Sequence, residues 1–261
     1  LLVAAWGLGL FSLRLQRRAL AHQEELAKQE HLAQLGTLGA VLAHEVRTPL
    51  TAILTHLEVL RTPHVPEATR AQSLALIDRE ANRIARLMRD LSELNRLEIS
   101  TEIAQRPIDL LVLVEETIAQ IILKSEDRQM ALSLQADAAL PRVLGDPDRL
   151  KQVFANLLDN AVKYGRPGDH IEVGLRLEAD GIGCTITDTG PGIPAQHLPY
   201  VTQRLYRARP DVEGSGLGLA LVAEILRRHH SQLEIESQTE GEQTGTRVHF
   251  VLPILPVENR P

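Results

Sequence analysis

His44-Glu45-Val46-Arg47-Thr48-Pro49-Leu50 lies inside an apolar stripe that decides the fold of the first third of the chain. Leu35, Leu38, Leu42, Val46, Leu50, Ile53, Leu57 and Leu60 recur at spacings of three and four, which places them on one face of a helix. His44 and Thr48 share a face of that helix, with Glu45 about 100° round from His44. Pro49 removes a helical hydrogen bond and predicts a bend beside the histidine. Thr62-Pro63-His64-Val65-Pro66 breaks the stripe, and a second helical run follows from about Glu67 to Leu97, striped by Leu74, Ile77, Ala81, Ile84, Met88 and Leu91. Two long helices joined by a short Pro-bearing turn predict an antiparallel hairpin. One hairpin cannot bury both stripes, so a homodimer forming a four-helix bundle is expected.

Upstream, Ala19 to Leu38 is rich in Ala, Leu, Glu and Gln and is read as helical. Leu1 to Leu13 is apolar throughout and is followed by Arg14, Arg17 and Arg18. A full span needs about 20 apolar residues, and a secretory signal carries its charge before the apolar run, not after it. Leu1–Leu13 therefore reads as the inner half of a transmembrane helix whose outer half lies upstream, with the arginines on the cytoplasmic side. The alternative is an apolar helix start that packs on the body of the protein.

A 261-residue length suits two modest domains. A content of 44% hydrophobic and 24% charged residues is that of a globular protein, and the net charge of -6 with no basic stripe argues against nucleic acid as a partner. Cys184 is the single cysteine and sits in the strand-like Ile182-Gly183-Cys184-Thr185-Ile186, so it is read as a small core residue in a reducing compartment.

After Leu97 the character changes. Ile99 to Pro107 is polar and loop-like, and Asp109 can cap a helix through Gln120. Met130-Ala131-Leu132-Ser133-Leu134 alternates like a strand. Asp146-Pro147 starts a helix that runs to about Tyr164, with Pro at its first position. Strand-like runs recur at Ile171–Leu177, Ile182–Thr187, Leu233–Glu236 and Thr246–Leu252, and helices among several short strands predict an α/β sandwich.

The chemistry-bearing residues fall in a fixed order. A neutral imidazole such as His44 is a competent nucleophile toward phosphorus, and a neighbouring carboxylate such as Glu45 can hold the other ring N–H and take up its proton. In Asn156-Leu157-Leu158-Asp159-Asn160-Ala161-Val162-Lys163-Tyr164 the two asparagines align on one helix face. Their amide oxygens suit Mg²⁺, which takes most of its other ligands from phosphates and water. Lys163 can reach a phosphate and Tyr164 can cover a base. Asp188-Thr189-Gly190-Pro191-Gly192 follows a strand, where a carboxylate can accept from an adenine amino group and glycines allow close backbone approach. Gly214-Ser215-Gly216-Leu217-Gly218 opens the helix Leu219–Arg228, and bare N–H groups at a helix start favour phosphate.

In this order the motifs resemble those of two-component sensor histidine kinases. His44 stands in the phosphoacceptor box, Asn156–Tyr164 resembles the N box, Asp188–Gly192 and Gly214–Gly218 the two glycine boxes, and Gly245-Thr246 a short third. The resemblance implies a Bergerat-type ATP site with Asn160 as principal Mg²⁺ ligand, Asn156 beside it and Asp188 on adenine. Gly190, Gly192, Gly214, Gly216, Leu217, Gly218 and Thr246 would line it. The stretch between the glycine boxes would be a lid, with Arg204 and Arg207 toward the γ-phosphate. Thr202 and Leu205 stand where the family has phenylalanines, which bears on how the lid packs against the His-bearing helix. His229-His230-Ser231 replaces the usual glycines and is read as a helix end favoured by the macrodipole, not as a metal site.

The implied organisation is a membrane segment at 1–13, a cytoplasmic signalling helix at 14–34, a dimerisation and phosphoacceptor domain at 35–98, a linker at 99–107, an ATP-binding domain at 108–254 and a tail at 255–261. The implied activity is autophosphorylation of His44, with transfer to an aspartate of a separate cognate response regulator. Thr48 is expected to serve the regulator's dephosphorylation, and the protein to sit at the inner (cytoplasmic) membrane with its kinase domains in the cytoplasm. Hydrolytic ATPases of the same superfamily are one alternative. They place a glutamate general base where Asn156 stands, and an amide cannot take a proton from water. A non-catalytic dimeric scaffold is the other, and the altered lid is the feature that favours it.

Overall fold

The computed structural model describes residues 39, 41–99, 104–209, 212, 214–241 and 243–254. Leu1–Leu13 lies outside them, as does the whole of the expected signalling helix at 14–34. No helix among the described residues is long and apolar enough to cross a membrane. The chain divides into two compact units, Leu1–Ala81 and Asn82–Pro261.

In the first unit, helix α1 covers residues 41–61 and stays helical through Pro49. Proline cannot donate to the carbonyl four residues back. Around it the hydroxyls of Thr48, Thr51 and Thr55 donate to the carbonyls of His44, Arg47 and Thr51 at 3.2, 2.9 and 3.0 Å. Helix α2 (Glu67–Ile99) begins after a turn in which His64 takes a left-handed φ of 63°. His56 Nδ1 and Ser73 Oγ, 3.1 Å apart, tie the two helices together at equal distances from the turn, as an antiparallel hairpin requires. Leu50, Leu54, Leu57 and Leu74 remain exposed on it.

The second unit is an α/β sandwich. Strands β1 (Arg106–Ile108) and β3 (Val143–Gly145) pair antiparallel as a small ribbon. Helix α3 (Leu110–Asp127) starts at Asp109, whose carboxylate accepts the Val112 N–H, and runs a further seven residues beyond the expected end at Gln120. Strand β2 (Ala131–Ala136), helix α4 (Pro147–Tyr164), strands β4 (His170–Glu178) and β5 (Gly181–Asp188), helix α5 (Gly218–Arg228) and strands β6 (Glu234–Gln238) and β7 (Gly245–Leu252) follow. The five-stranded sheet has the order β2-β4-β5-β7-β6, antiparallel except for the parallel β2–β4 pair.

Alternation decides which face is covered. Ile171, Val173 and Leu175 of β4, Ile182, Cys184 and Ile186 of β5, and Val248, Phe250 and Leu252 of β7 are all buried. Against them α4 buries Leu150, Val153, Phe154, Leu157 and Leu158. The Phe154 and Phe250 rings meet at 5.6 Å, joining the layers at the centre. Full burial of each such side chain contributes about 1.5–3 kcal/mol. Cys184 lies in this core, and burial pushes its thiol well up from the usual range, so it is an inert core residue.

Candidate active site

The sheet and α4 leave an open cleft of about 130 Å³ at the ends of β5 and β7. Helix α4 is held at its start by Asp146, whose carboxylate accepts the N–H groups of Asp148 and Arg149. Its buried stripe fixes its rotation, so Asn160 and Tyr164 face the cleft while Leu157 and Ala161 form its floor. Asp188, the last residue of β5, enters from the other side. Burial raises its pKa, against the lowering effect of hydrogen bonds from the backbones of Gly190 and Thr246. Gly190 N–H donates to Asp188 Oδ1 at 2.9 Å, which fixes the carboxylate's orientation.

Gly192 turns the following loop into the cleft. Its φ of 71° is left-handed, and a Cβ there would collide with the Gln238 carbonyl. Ser237 locks that loop, accepting the Ile193 N–H at 2.7 Å, donating to the Gly245 carbonyl at 2.8 Å and lying 2.9 Å from Thr246 Oγ1. Ser237 is a residue that motif reasoning missed, since an exposed-looking serine in Glu234–Gln238 carries no local signal.

The Gly214–Gly218 loop stands beside the cleft, against α4. A Cβ at Gly214 would fall on the Lys163 ammonium, and Gly218 faces the Asn156 amide. Asn156 Nδ2 is buried with no hydrogen-bond partner. Burying an amide N–H unpaired costs about 1–3 kcal/mol, so this orphan marks a place where a polar ligand fits. Lys163 Nζ also lies 4.9 Å above the Tyr164 ring. Leu217, fully buried, anchors the start of α5. Of the expected site residues, Asn160, Tyr164, Asp188, Gly192 and Thr246 line the cleft, whereas Asn156, Lys163, Gly190, Gly214, Gly216, Leu217 and Gly218 are not among its lining residues.

The segment between the two glycine loops holds to the second of them by its own contacts. Leu205 adopts a left-handed φ of 63° and its N–H donates to the Gly216 carbonyl at 2.9 Å. Leu205 and Val201 are buried in this unit. Tyr206 lines the cleft, its hydroxyl 2.6 Å from His197 Nδ1 and its ring 5.6 Å from Tyr200. Arg207 lines the cleft and donates to the Val212 carbonyl at 2.6 Å, whereas Arg204 is not among the lining residues. Arg209 lines it too, and sequence reasoning did not single it out.

His229 departs from its expected role. It caps α5 and is buried at 2% exposure. Its Nδ1–H donates to the Ile225 carbonyl at 2.8 Å, and its Nε2 accepts the Asp146 N–H at 3.0 Å. Burial holds its pKa below the ordinary histidine value. It is a neutral bolt between the end of α5 and the start of α4, so the macrodipole does not explain it.

In the first unit His44 and Thr48 are both exposed, with Glu45 half-buried beside them.

An α/β sandwich whose Asn160-bearing helix, strand-end aspartate and first glycine loop meet at one cleft, with a second glycine loop packed against that helix, has the layout of a nucleotide-binding domain. Residues 145–256 match the family described as Histidine kinase-, DNA gyrase B-, and HSP90-like ATPase, and residues 34–99 match the His Kinase A (phospho-acceptor) domain. The adaptive-response sensory kinase SasA of Thermosynechococcus vestitus is 34% identical over 257 residues, 94% of this chain and 64% of that protein. The signal transduction histidine-protein kinase/phosphatase MprB of Mycobacterium tuberculosis is 33% identical over 220 residues, 80% of this chain and 43% of that protein. The solved mycobacterial sensor histidine kinase MprB has a TM-score of 0.50 at 31% identity, covering 57% of this chain and 97% of that one. The histidine kinase ThkA, solved in complex with the response regulator TrrA, shares the fold with a TM-score of 0.73 at 22% identity, over 92% of this chain and 67% of that one. The chain belongs to the two-component sensor histidine kinases. It spans less than two thirds of the length of the curated relatives named here.

Proposed function

We propose that the protein is an ATP-dependent histidine autokinase that phosphorylates His44 and passes the phosphoryl group to an aspartate of a separate response regulator. The observation that carries this reading is that Asp188 and Asn160 line one cleft, while one turn earlier on α4 the Nδ2 of Asn156 is buried without a hydrogen-bond partner. Asp188 accepts from the adenine amino group, and Tyr164 covers the base. Asn160 is the amide ligand for Mg²⁺, with Asn156 next to it, and these hard oxygen donors fit that ion. Bound Mg²⁺ supplies charge neutralisation and orientation at the phosphates. Lys163, Arg207 and the glycine loop bind the phosphate oxygens.

His44 attacks with a neutral ring nitrogen. A nitrogen–phosphorus bond forms as the bond from the γ-phosphorus to its bridging oxygen breaks, ADP leaves, and Glu45 takes up the proton from the other ring nitrogen. An amide in place of a general base at Asn156 keeps water from competing. The response regulator is supported by the ThkA–TrrA complex, and dephosphorylation of that regulator by the name of MprB. The exposed Leu50, Leu54, Leu57 and Leu74 support a homodimer that covers them. Leu1–Leu13 is read as the membrane anchor.

Asn160→Asp tests the metal role. It should reduce autophosphorylation by orders of magnitude, since losing a phosphate clamp costs several kcal/mol of barrier, roughly a factor of ten for each 1.4 kcal/mol. The variant should keep its helical circular dichroism. Near wild-type phosphorylation in Asn160→Asp would remove Asn160 from the site.

A further inference from the structure

Two acidic residues near the end of α2, which from Asn82 onward belongs to the second unit, touch the glycine loop and α4 at places the reaction does not explain. Asp90 Oδ2 accepts a hydrogen bond from Ser215 Oγ at 2.7 Å. The same Ser215 Oγ accepts the Leu217 N–H at 3.2 Å. Ser215 and Leu217 belong to the glycine loop, so one of its backbone donors is already occupied, and Asp90 is what orients the hydroxyl that occupies it. Three residues on, on the same face of α2, Glu93 pairs with Arg149 and accepts from Gln152 Nε2 at 2.6 Å. Arg149 and Gln152 lie in the first turns of α4. Leu94 and Leu97, further along the same helix, are buried at 1% and 4% exposure.

The strap therefore grips both elements that flank the phosphate end of the cleft. In this arrangement the glycine loop lies against Lys163 and Asn156, outside the cleft lining. A phosphate cannot take the Leu217 N–H while Ser215 Oγ holds it, and an anion brought to this loop is repelled by the Asp90 carboxylate beside it. Burial already disfavours that carboxylate's charge, with the Ser215 hydrogen bond opposing the effect, so the contact loses its main support once the hydroxyl turns away.

We propose that Asp90 and Glu93 form an acidic strap that holds the phosphate loop closed, so that Mg-nucleotide binding and docking of the end of α2 on this loop oppose each other. The proposal rests on the reading that the Gly214–Gly218 loop takes the nucleotide's phosphates. By linkage, whatever releases the strap tightens nucleotide binding, and nucleotide loosens the strap by the same factor. The end of α2 becomes a brake on the site.

The test is calorimetric titration of the full chain with Mg²⁺ and a non-hydrolysable ATP analogue. Asp90→Ala should bind the analogue about fivefold or more tightly than wild type, the lower end of ordinary coupling between sites. Glu93→Arg and Arg149→Glu should each tighten binding as well, and the double reversal, which remakes the ion pair, should return affinity toward wild type. In wild type the analogue should raise hydrogen exchange across residues 86–97, and Asp90→Ala should abolish that rise. Merely structural contacts would give equal or weaker affinity in the variants. That result, or no rise in exchange in wild type, overturns the strap while leaving the nucleotide site standing. Should Asp90→Ala fail to fold, the wild-type exchange experiment decides alone. No binding of the analogue by wild type would overturn the nucleotide-site reading, and the strap with it.

Discussion

Replacing His229 probes how the nucleotide unit is held together. The ring is 2% exposed, bonds Ile225 through Nδ1 and Asp146 through Nε2, and lies so close to Gly145 that a Cβ there would come within 2.7 Å of its Cδ2. His229→Ala leaves the Asp146 N–H without its acceptor, which costs about 1–3 kcal/mol. The space left by the ring adds to this, for a total of about 2–4 kcal/mol. At roughly 2–4 °C per kcal/mol for a unit of this size, the melting temperature should fall on the order of 10 °C. His229→Gln, whose amide can both donate and accept, should recover part of the loss.

The same residue carries a pH signature. Burial is the main cause of its lowered pKa, with His230 adding to it and the Ile225 and Asp146 interactions opposing it. The unfolded chain takes up the proton near pH 6.5, and the folded chain resists it until lower pH. The contribution of His229 is therefore fully present above about pH 6.5 and is lost as pH falls below that value. Protonated Nε2 would direct an N–H at the Asp146 N–H. Thermal melts at about pH 7.5 and about pH 5.5 should show a larger acid loss in wild type than in His229→Gln. Equal losses in the two proteins, or a His229→Ala protein as stable as wild type, would refute the reasoning.

Two further substitutions follow from the geometry. Gly216→Ala places a Cβ at a φ of 69° and within 3 Å of the Leu205 and Tyr206 backbone, so it should displace lid and loop together; left-handed strain alone costs about 1–2 kcal/mol, and titration should show nucleotide affinity falling roughly tenfold. Thr48→Ala should leave autophosphorylation largely intact and slow dephosphorylation of the regulator. The Thr48 hydroxyl, directed at the His44 carbonyl at 3.2 Å, keeps its lone pairs to hold a water. Equal loss of both activities in a phosphotransfer time course would assign Thr48 to the helix beside Pro49 instead.

The parts of this fold that repeat were legible in the chain. The helix that carries His44, the Asp146-Pro147 helix start and the alternation of Thr246–Leu252 each follow a local signal that the structure bears out. Helix α3 was cut short because Ile121-Ile122-Leu123 breaks the stripe: only Ile121 is buried, and Leu123 is 68% exposed. Strands β1 and β3 are three residues each, too short for alternation to register, and they pair across a separation that no local pattern records. The same is true of the site. Asn160, Asp188 and Gly192, which share the cleft, could be singled out because the helix and strand beside them set their spacing. Asp90, Ser237 and His229 could not, because each acts through a partner far away in the chain, and a buried neutral histidine looks in sequence like any helix-end histidine.

On the proposed reading, His44, exposed on α1, receives the γ-phosphate of ATP held at the Asn160–Asp188 cleft. Incubation of the full chain with γ-labelled ATP and Mg²⁺, followed by acid and base treatment, measures this directly. A phosphoramidate at His44 predicts label that is lost in acid, survives base, and is absent from His44→Ala. Label that persists in His44→Ala, or that survives acid, would contradict the assignment.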